Sequence, residues 1–254
     1  MSFRALVSLV AASVLAVGTC AAATPTRNEL IADGDFETIK NSAQLRRDDE
    51  GRDWHESRRQ SRQARELLLL SKKSVAKNRT QKAMIKAHPE LNTYLSQELA
   101  APQEGRFRVN FEICIKQIRP EYNRSAFFFA GTSSDKKNGP NSTGVERFVF
   151  LGWENGDREG KVNLFARQGL TGWEERTLLA KDLDLMTWYK VTIDVDTAAG
   201  TYSVKVGTGP ASEPLAAFAT RGAAVPQRIT HISFASWNDG AGTFYVDNVS
   251  ARPR

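Results

Sequence analysis

Cysteine is nearly missing from this 254-residue chain, which holds only Cys20 and Cys114. Histidine is almost as scarce, with His55, His88 and His231 alone. Long apolar runs are missing after the first twenty residues. Each scarcity excludes something. One cysteine in the mature chain forms no internal disulfide, so the fold rests on its core alone. Cys114 builds no thiolate zinc site by itself, and the acidic clusters have no His or Cys beside them, which excludes zinc there. It reads as a small filler in an alternating strand, with nothing near it to activate a thiolate. No glycine-rich phosphate cradle or nucleotide motif occurs. No second apolar run spans a bilayer, so no membrane span is expected.

The apolar residues that do cluster lie at the start. Residues 1–4 give a positive beginning, residues 5–17 are apolar, and "TCAAATPT" is rich in small residues. This is the pattern of a secretory signal, cleaved after Ala23, with Ala21 and Ala23 in the small-residue slots. Residues 1–23 are thus read as the signal and 24–254 as one domain. The mature protein is expected outside the cytoplasm: secreted, periplasmic or at the cell surface. Lipidation at Cys20 is the rival, against which Thr19 is a poor match.

The net charge is +6 and the pI about 9.4. Much of the excess falls in "RRQSRQAR" and "SKKSVAKNRTQK". Acidic residues Asp48, Asp49, Glu50, Asp53, Glu56 and Glu66 are interleaved, so the stretch reads as a solvated charged face. For an exported chain an anionic glycan is a better target than DNA, and no nucleic-acid partner is expected.

From Gly105 onward the pattern is β. In "GRFRVNFEICIKQI", Phe107, Val109, Phe111, Ile113 and Ile115 share one face, and Arg108, Asn110, Glu112, Cys114 and Lys116 the other. "SAFFFAG" is a short apolar strand. "ERFVFLGW…KVNLFAR" is a hairpin around Asn155-Gly156. "WYKVTIDVD" with "GTYSVKVG", and "THISFASW" with "GTFYVDNVSA", make further pairs. Many strands at short spacing mean an all-β sandwich or jelly roll. The stretch 50–100 differs. Its propensity is helical and Pro89 is its only breaker. The apolar period is poor, however, and the block 67–70 also fits a short buried strand.

The tail "THISFASWNDGAGTFYVDNVS" resembles the closing strands of concanavalin A-like (laminin G-like) jelly-roll modules of secreted bacterial and archaeal proteins. "DGDFET" looks like their opening strand. "WHESR", "ELLLLSKKSVAKNRTQKAMIKA", "NTYLSQELAAPQEGRFRVNFEICI", "GPNSTGVERFVF" and "WYKVTIDV" follow in the expected order. The resemblance covers residues 30–249. It implies an antiparallel two-sheet β-sandwich, with 67–70, 81–86 and 94–99 as strands in spite of their propensity. Modules of this kind mostly bind glycans or act as surface and adhesion pieces, and a minority are glycoside hydrolases or polysaccharide lyases. Fold alone does not choose among these.

The residue types present bear on four chemistries. Hydrolases of this fold carry Glu-x-Asp-x-x-Glu on one strand, whereas Glu154, Asp157 and Glu159 have the wrong spacing and straddle a turn. A lyase needs a base and a cation facing a uronate. Here His231, His55 and Arg108 supply the types, but the lyase strand motifs of the fold are absent. Sugar binding needs aromatic platforms with amide, carboxylate and guanidinium groups. Arg108, Asn110 and Glu112, taken as a concave face, with Trp237, Asn238 and Asp239, are the expected contact set. Trp54, Trp153 and Trp173 are further platforms, and Trp188 reads as core. A structural Ca²⁺ site is the fourth. Asp33, Asp35 and Glu37 near the start and Asp247 near the end, with Asn248 beside it, offer oxygen ligands if first and last strands meet.

The expectation is a lectin-like, non-catalytic carbohydrate-binding or surface-interaction module whose partner is a polysaccharide or cell-surface glycan. The alternative is a polysaccharide-degrading enzyme, a lyase before a hydrolase, on an anionic glycan. A purely structural envelope piece comes third.

Overall fold

A computed structural model describes residues 28–46, 54–55, 64–118, 124–133, 139–141, 146–168, 176–219, 224–237 and 242–254. The signal segment lies outside the described residues, as do Trp173, Asn238 and Asp239. Two antiparallel sheets pack face to face. One has seven strands in the order β1 (Leu68–Ser71), β2 (Lys82–Lys86), β13 (Thr243–Pro253), β4 (Arg106–Gln117), β9 (Trp188–Asp196), β10 (Thr201–Val206) and β11 (Leu215–Ala216). The other has six: β3 (Thr93–Gln103), β12 (Ile229–Ser236), β5 (Arg124–Thr132), β6 (Glu146–Asn155), β7 (Lys161–Arg167) and β8 (Arg176–Asp184).

Alternation along the strands builds the core between the sheets. Phe107, Val109, Phe111, Ile113 and Ile115 of β4 all point inward, as do Val191, Ile193 and Val195 of β9. The six-stranded sheet supplies Phe128, Leu151, Ile232 and Phe234 from the opposite side. At the centre Phe111 stacks on Phe128 at 4.9 Å and meets Phe234 edge-on at 5.1 Å. Such offset and edge contacts add to the area the rings bury.

From Leu68 on, the ambiguous stretch forms strands, as the resemblance implied. Leu68 pairs with Ile85 of β2. Among the described residues of the stretch only Ala64–Leu67 forms a helical turn, which takes in Leu67, the first residue of the leucine block. Leu68, Ala83 and Ile85 reach the core, so burial overrides helix propensity. Among the described residues no helix is long and apolar enough to cross a membrane.

The opening "DGDFE" is not a strand. Asp33 and Phe36 have φ of 47° and 59°, which extended chain does not allow. The segment instead runs beside β13 as a series of turns. Leu30 N–H donates to Ala251 O (2.8 Å) and Val249 N–H to Gly34 O (2.8 Å). A Cβ on Gly34 would fall 1.8 Å from Val249 O, so this close approach requires glycine. First and last segments do meet, as expected, but through turns.

Candidate functional site

A two-sheet sandwich has two outward faces, and here they differ in kind. On the six-stranded sheet one row runs Tyr94, Ala235, Phe127, Gly152, Phe165, and the next runs Ser96, Ser233, Phe129, Phe150, Arg167. These strands are apolar on both sides, which is why "SAFFFAG" and "ISFAS" read as continuous runs rather than as alternation. Tyr94, Phe127, Phe129, Phe150, Phe165, Phe218 and Ala235 form a second apolar cluster with Trp237 packed against it. Phe218 folds over it, held by its N–H to Phe148 O (2.9 Å). The 3-10 turn Gly139–Asn141 also contacts β12, β5 and β3. Phe165 lies over Gly152, where a Cβ would come within 2.4 Å of the ring.

Two guanidinium groups enter this cluster. Arg147 lies 4.5 Å from the Phe129 ring centre and 5.5 Å from that of Trp237, and its Nε donates to Pro140 O (2.8 Å). Burial pulls its pKa down to about 10; Tyr94 opposes the change and Arg167 adds to it. Arg167 stacks 5.1 Å from Phe150 and 5.2 Å from Phe218. His231 is buried, with Nδ1 2.7 Å from Thr230 Oγ1, and pairs in register with Glu98. Among the described residues this face is covered by aromatic and guanidinium side chains.

The seven-stranded sheet presents the opposite picture. Its rows run Arg252, Arg108, Asp194; then Ser250, Asn110, Thr192; then Asp247, Glu112, Lys190; then Tyr245, Cys114, Trp188. At the last row Val75, Cys114 and Tyr245 form a small buried cluster, with Met84 and Trp188 against it. The other rows open into a depression of ≈ 530 Å³. Its lining is Arg108, Asn110, Glu112 and Lys190 from β4 and β9, with Asn248, Ser250, Arg252 and Arg254 along β13 and the chain end. A second hollow of ≈ 190 Å³ adjoins it, lined by Arg106, Asp196, Ser203 and others; Arg254 borders both.

Cross-strand pairs hold these groups in place. Arg108 grips Asp194 through Nε (2.7 Å) and Nη2 (2.8 Å), and Arg254 Nη1 reaches the same carboxylate at 2.9 Å. The hydrogen bonds from Arg108 hold Asp194 below its ordinary pKa, burial opposes this, and Arg254 assists. Arg106 pairs with Asp196 (2.7 Å) and Arg252 with Glu29 (3.0 Å). Asn248 Nδ2 donates to Glu112 Oε2 (3.0 Å), and Thr192 Oγ1 to Asn110 Oδ1 (2.9 Å). Five cations (Arg106, Arg108, Lys190, Arg252, Arg254) thus stand among four carboxylates (Glu29, Glu112, Asp194, Asp196). The surface is a nearly balanced array of donors and acceptors.

The expected contact set is therefore divided. Arg108, Asn110 and Glu112 come together, but on the face of the seven-stranded sheet. Trp237 lies on the opposite side of the sandwich, stacked on Phe127 at 4.5 Å. Trp54 and Trp153, read as platforms, are core side chains. Trp188, read as core, sits in the small outward cluster, its Nε1 donating to Val75 O (2.8 Å). Glu154 pairs with Arg176 (3.1 Å) and Asp157 with Lys181 (2.5 Å). Lys190, Ser250, Arg252 and Arg254 were missed. The bulge at Asn248 breaks the alternation of β13, so the face that Ser250 and Arg252 share with β4 was hidden in the sequence, whereas Lys190 stood on the polar face of β9 without being singled out.

The four acidic residues considered for calcium do not gather as a ligand set. Asp33 and Asp35 are exposed. Glu37 Oε1 accepts from Gln81 N–H (2.7 Å). Asp247 is fully buried, and Oδ2 accepts from Asn78 Nδ2 and Thr80 Oγ1, both at 2.8 Å. Among the described residues no group of three or more His, Cys, Asp and Glu could hold a metal ion.

No family model and no curated protein matches the sequence. Solved structures do. The chain is similar to the catalytic domain of a glycoside hydrolase family 131 protein from Coprinopsis cinerea, with a TM-score of 0.55 at 14% identity, over 89% of this chain and 94% of that one. It is similar to a GH131 beta-glucanase catalytic domain from Podospora anserina, with a TM-score of 0.50 at 17% identity, over 89% and 96%. A sialidase matches with a TM-score of 0.54 at 12% identity; 89% of this chain is covered, but the chain spans only 18% of that protein. At these identities the likeness concerns the fold, a jelly-roll sandwich.

Proposed function

We propose that this chain is an exported, non-catalytic carbohydrate-binding protein that holds a polysaccharide or cell-surface glycan in the depression on the seven-stranded sheet. One observation carries the reading: an open hollow of ≈ 530 Å³ whose guanidinium, amide, hydroxyl and carboxylate groups are fixed by cross-strand pairs. Its size falls within the roughly 300–1,000 Å³ of ordinary ligand sites. Groups held by one another lose little freedom when a ligand arrives, which favours affinity. Donors and acceptors in near-equal number suit sugar hydroxyls, which are both. The matched structures above are named for action on carbohydrates, and the fold they share with this chain is compatible with that class of ligand.

The same geometry argues against hydrolysis there. A glycosidase keeps one carboxyl protonated as its acid, whereas Asp194 and Asp196 are each paired with arginine and held below the ordinary carboxylate pKa. Asp247, which faces Glu112 across β13 and β4, is buried and bonded to Asn78 and Thr80.

A second reading has its own support. Tyr94, His231, Arg147 and Arg167 gather on the six-stranded sheet, which is the combination of base and cation that elimination from a uronate requires. Phe218 and the Gly139–Asn141 turn pack on the same side of this sheet. One experiment separates the two. The protein is incubated with neutral glucans, pectate, alginate and a heparinoid; binding is read by calorimetry and cleavage by ultraviolet absorbance of unsaturated ends and by reducing ends. Binding without new ends supports the first reading, new ends support the second, and no binding to any glycan would sink both.

A further inference from the structure

Among the described residues Lys82 is the only buried lysine. It lies on β2 beside β13, on the outward side of the seven-stranded sheet. A loop of residues 72–80 passes over it, tightened by a Val75–Asn78 bridge in which Ala76 and Lys77 take φ of 46° and 69°. Three carbonyl oxygens of that loop receive the ammonium: Lys73 O at 3.1 Å, Asn78 O at 3.4 Å, and Thr80 O. An ammonium has three donors, so all three are used. Burial lowers the Lys82 pKa, while Asp247 and then Glu37 oppose that change. Both carboxylates therefore lie within electrostatic reach.

The carbonyls and carboxylates here are oxygen donors of the kind that hold a hard metal cation. Calcium takes six to eight oxygens, and with the ammonium holding the three carbonyls this locus does not offer them. Both Asp247 oxygens already accept bonds, Oδ2 from Asn78 and Thr80 and Oδ1 from Asn248 N–H (2.8 Å). Glu37 Oε1 is engaged by Gln81. A buried carboxylate still requires a compensating charge, since an uncompensated one is costly. We infer that the Lys82 ammonium fills a cation seat between the first segment and the last strand, supplying from the chain itself the charge that calcium would supply. The seat ties Glu37, the 72–80 loop and Asp247 together, and the loop in turn covers Cys114.

The test compares wild type with Lys82→Ala and Lys82→Met, with thermal unfolding followed in excess EDTA and in millimolar CaCl₂. Wild type should unfold at the same temperature in both. Both variants should lose stability in EDTA, by roughly 6–20 °C for a broken buried pair in a chain of this size. Lys82→Ala opens space beside the oxygens and should regain several degrees with Ca²⁺. Lys82→Met fills that space with a thioether and should not. Cys114 alkylation should speed up in both variants as the loop loosens, and slow again with Ca²⁺ only in Lys82→Ala. A calcium-dependent wild type would overturn the inference, and so would a Lys82→Met as stable as wild type. An unstable Lys82→Ala indifferent to Ca²⁺ would overturn it too, because the pocket would then suit lysine and not cations in general. If Lys82→Ala does not fold, the wild-type and Lys82→Met results still decide.

Discussion

Replacing Asp194 by asparagine removes one negative charge from the hollow that adjoins the polar depression, beside two arginines that line it, and leaves the shape of the side chain intact. Two arginines depend on that carboxylate, Arg108 through two bonds and Arg254 through one. Their side chains are 38% and 50% exposed, and that of Asp194 is 29% exposed. Ion pairs at such exposure contribute about 0.2–1 kcal/mol each, so two should cost between about 0.5 and 2 kcal/mol. In a chain of this size that lowers Tm by roughly 1–8 °C. The effect on binding should be larger than the effect on stability. With the anchor gone, both guanidinium groups must be ordered by the ligand, and a tenfold loss of glycan affinity corresponds to about 1.4 kcal/mol. The pH dependence gives a further check. The Asp194 pKa is depressed in the folded state, so its stabilisation is complete above the unfolded value of about 3.9 and is lost as pH falls through the folded pKa. The gap between wild type and Asp194→Asn should therefore close in acid. Urea unfolding followed by tryptophan fluorescence, with calorimetric titration of the bound glycan, measures both. A loss above about 3 kcal/mol would mean the triad is buried architecture, and unchanged affinity would remove the triad from the site.

Other outcomes follow from the packing. Phe111→Ala empties the central aromatic contact with Phe128 and Phe234 and should cost about 3–5 kcal/mol by urea midpoint; a loss under about 1 kcal/mol would contradict the sandwich core. Gly152→Ala forces a methyl into the Phe165 ring and should destabilise by roughly 1–3 kcal/mol, which chemical unfolding would show. Cys114 is buried and its thiol is pushed up to about 11 by burial, Lys82 opposing. Iodoacetamide at neutral pH should label it slowly in the native protein and promptly in urea, and fast native labelling would refute this placement.

The alternation of β4 and β9 was plain in the sequence because each strand has one face in the core and one in or near water. Arg108, Asn110 and Glu112 were found for that reason alone. β8 was missed because it is a half-exposed edge strand whose Lys181, Asp182 and Asp184 look like loop. The aromatic cluster was invisible as a cluster, since a strand buried on both sides has no period to read. Whether Phe127 and Trp237 pack together or line an open groove depends on Phe218, ninety residues or so along the chain from Phe127. Lys82 was equally hidden. In "NRTQKAMIK" it reads as a surface charge, and only the loop passing over it makes it internal. The calcium expectation named acidic residues near a real junction, but nothing in the sequence places Lys82 close to Asp247.

If the glycan rests on the seven-stranded sheet and not on the aromatic face opposite, Asn110→Trp should block it, because residue 110 lines the depression from mid-strand and tryptophan is well tolerated in strands. Calorimetric titration of the glycan bound by wild type should give no measurable binding to this variant, with an unchanged urea midpoint. Full affinity in Asn110→Trp, with the same midpoint, would place the ligand elsewhere on the molecule.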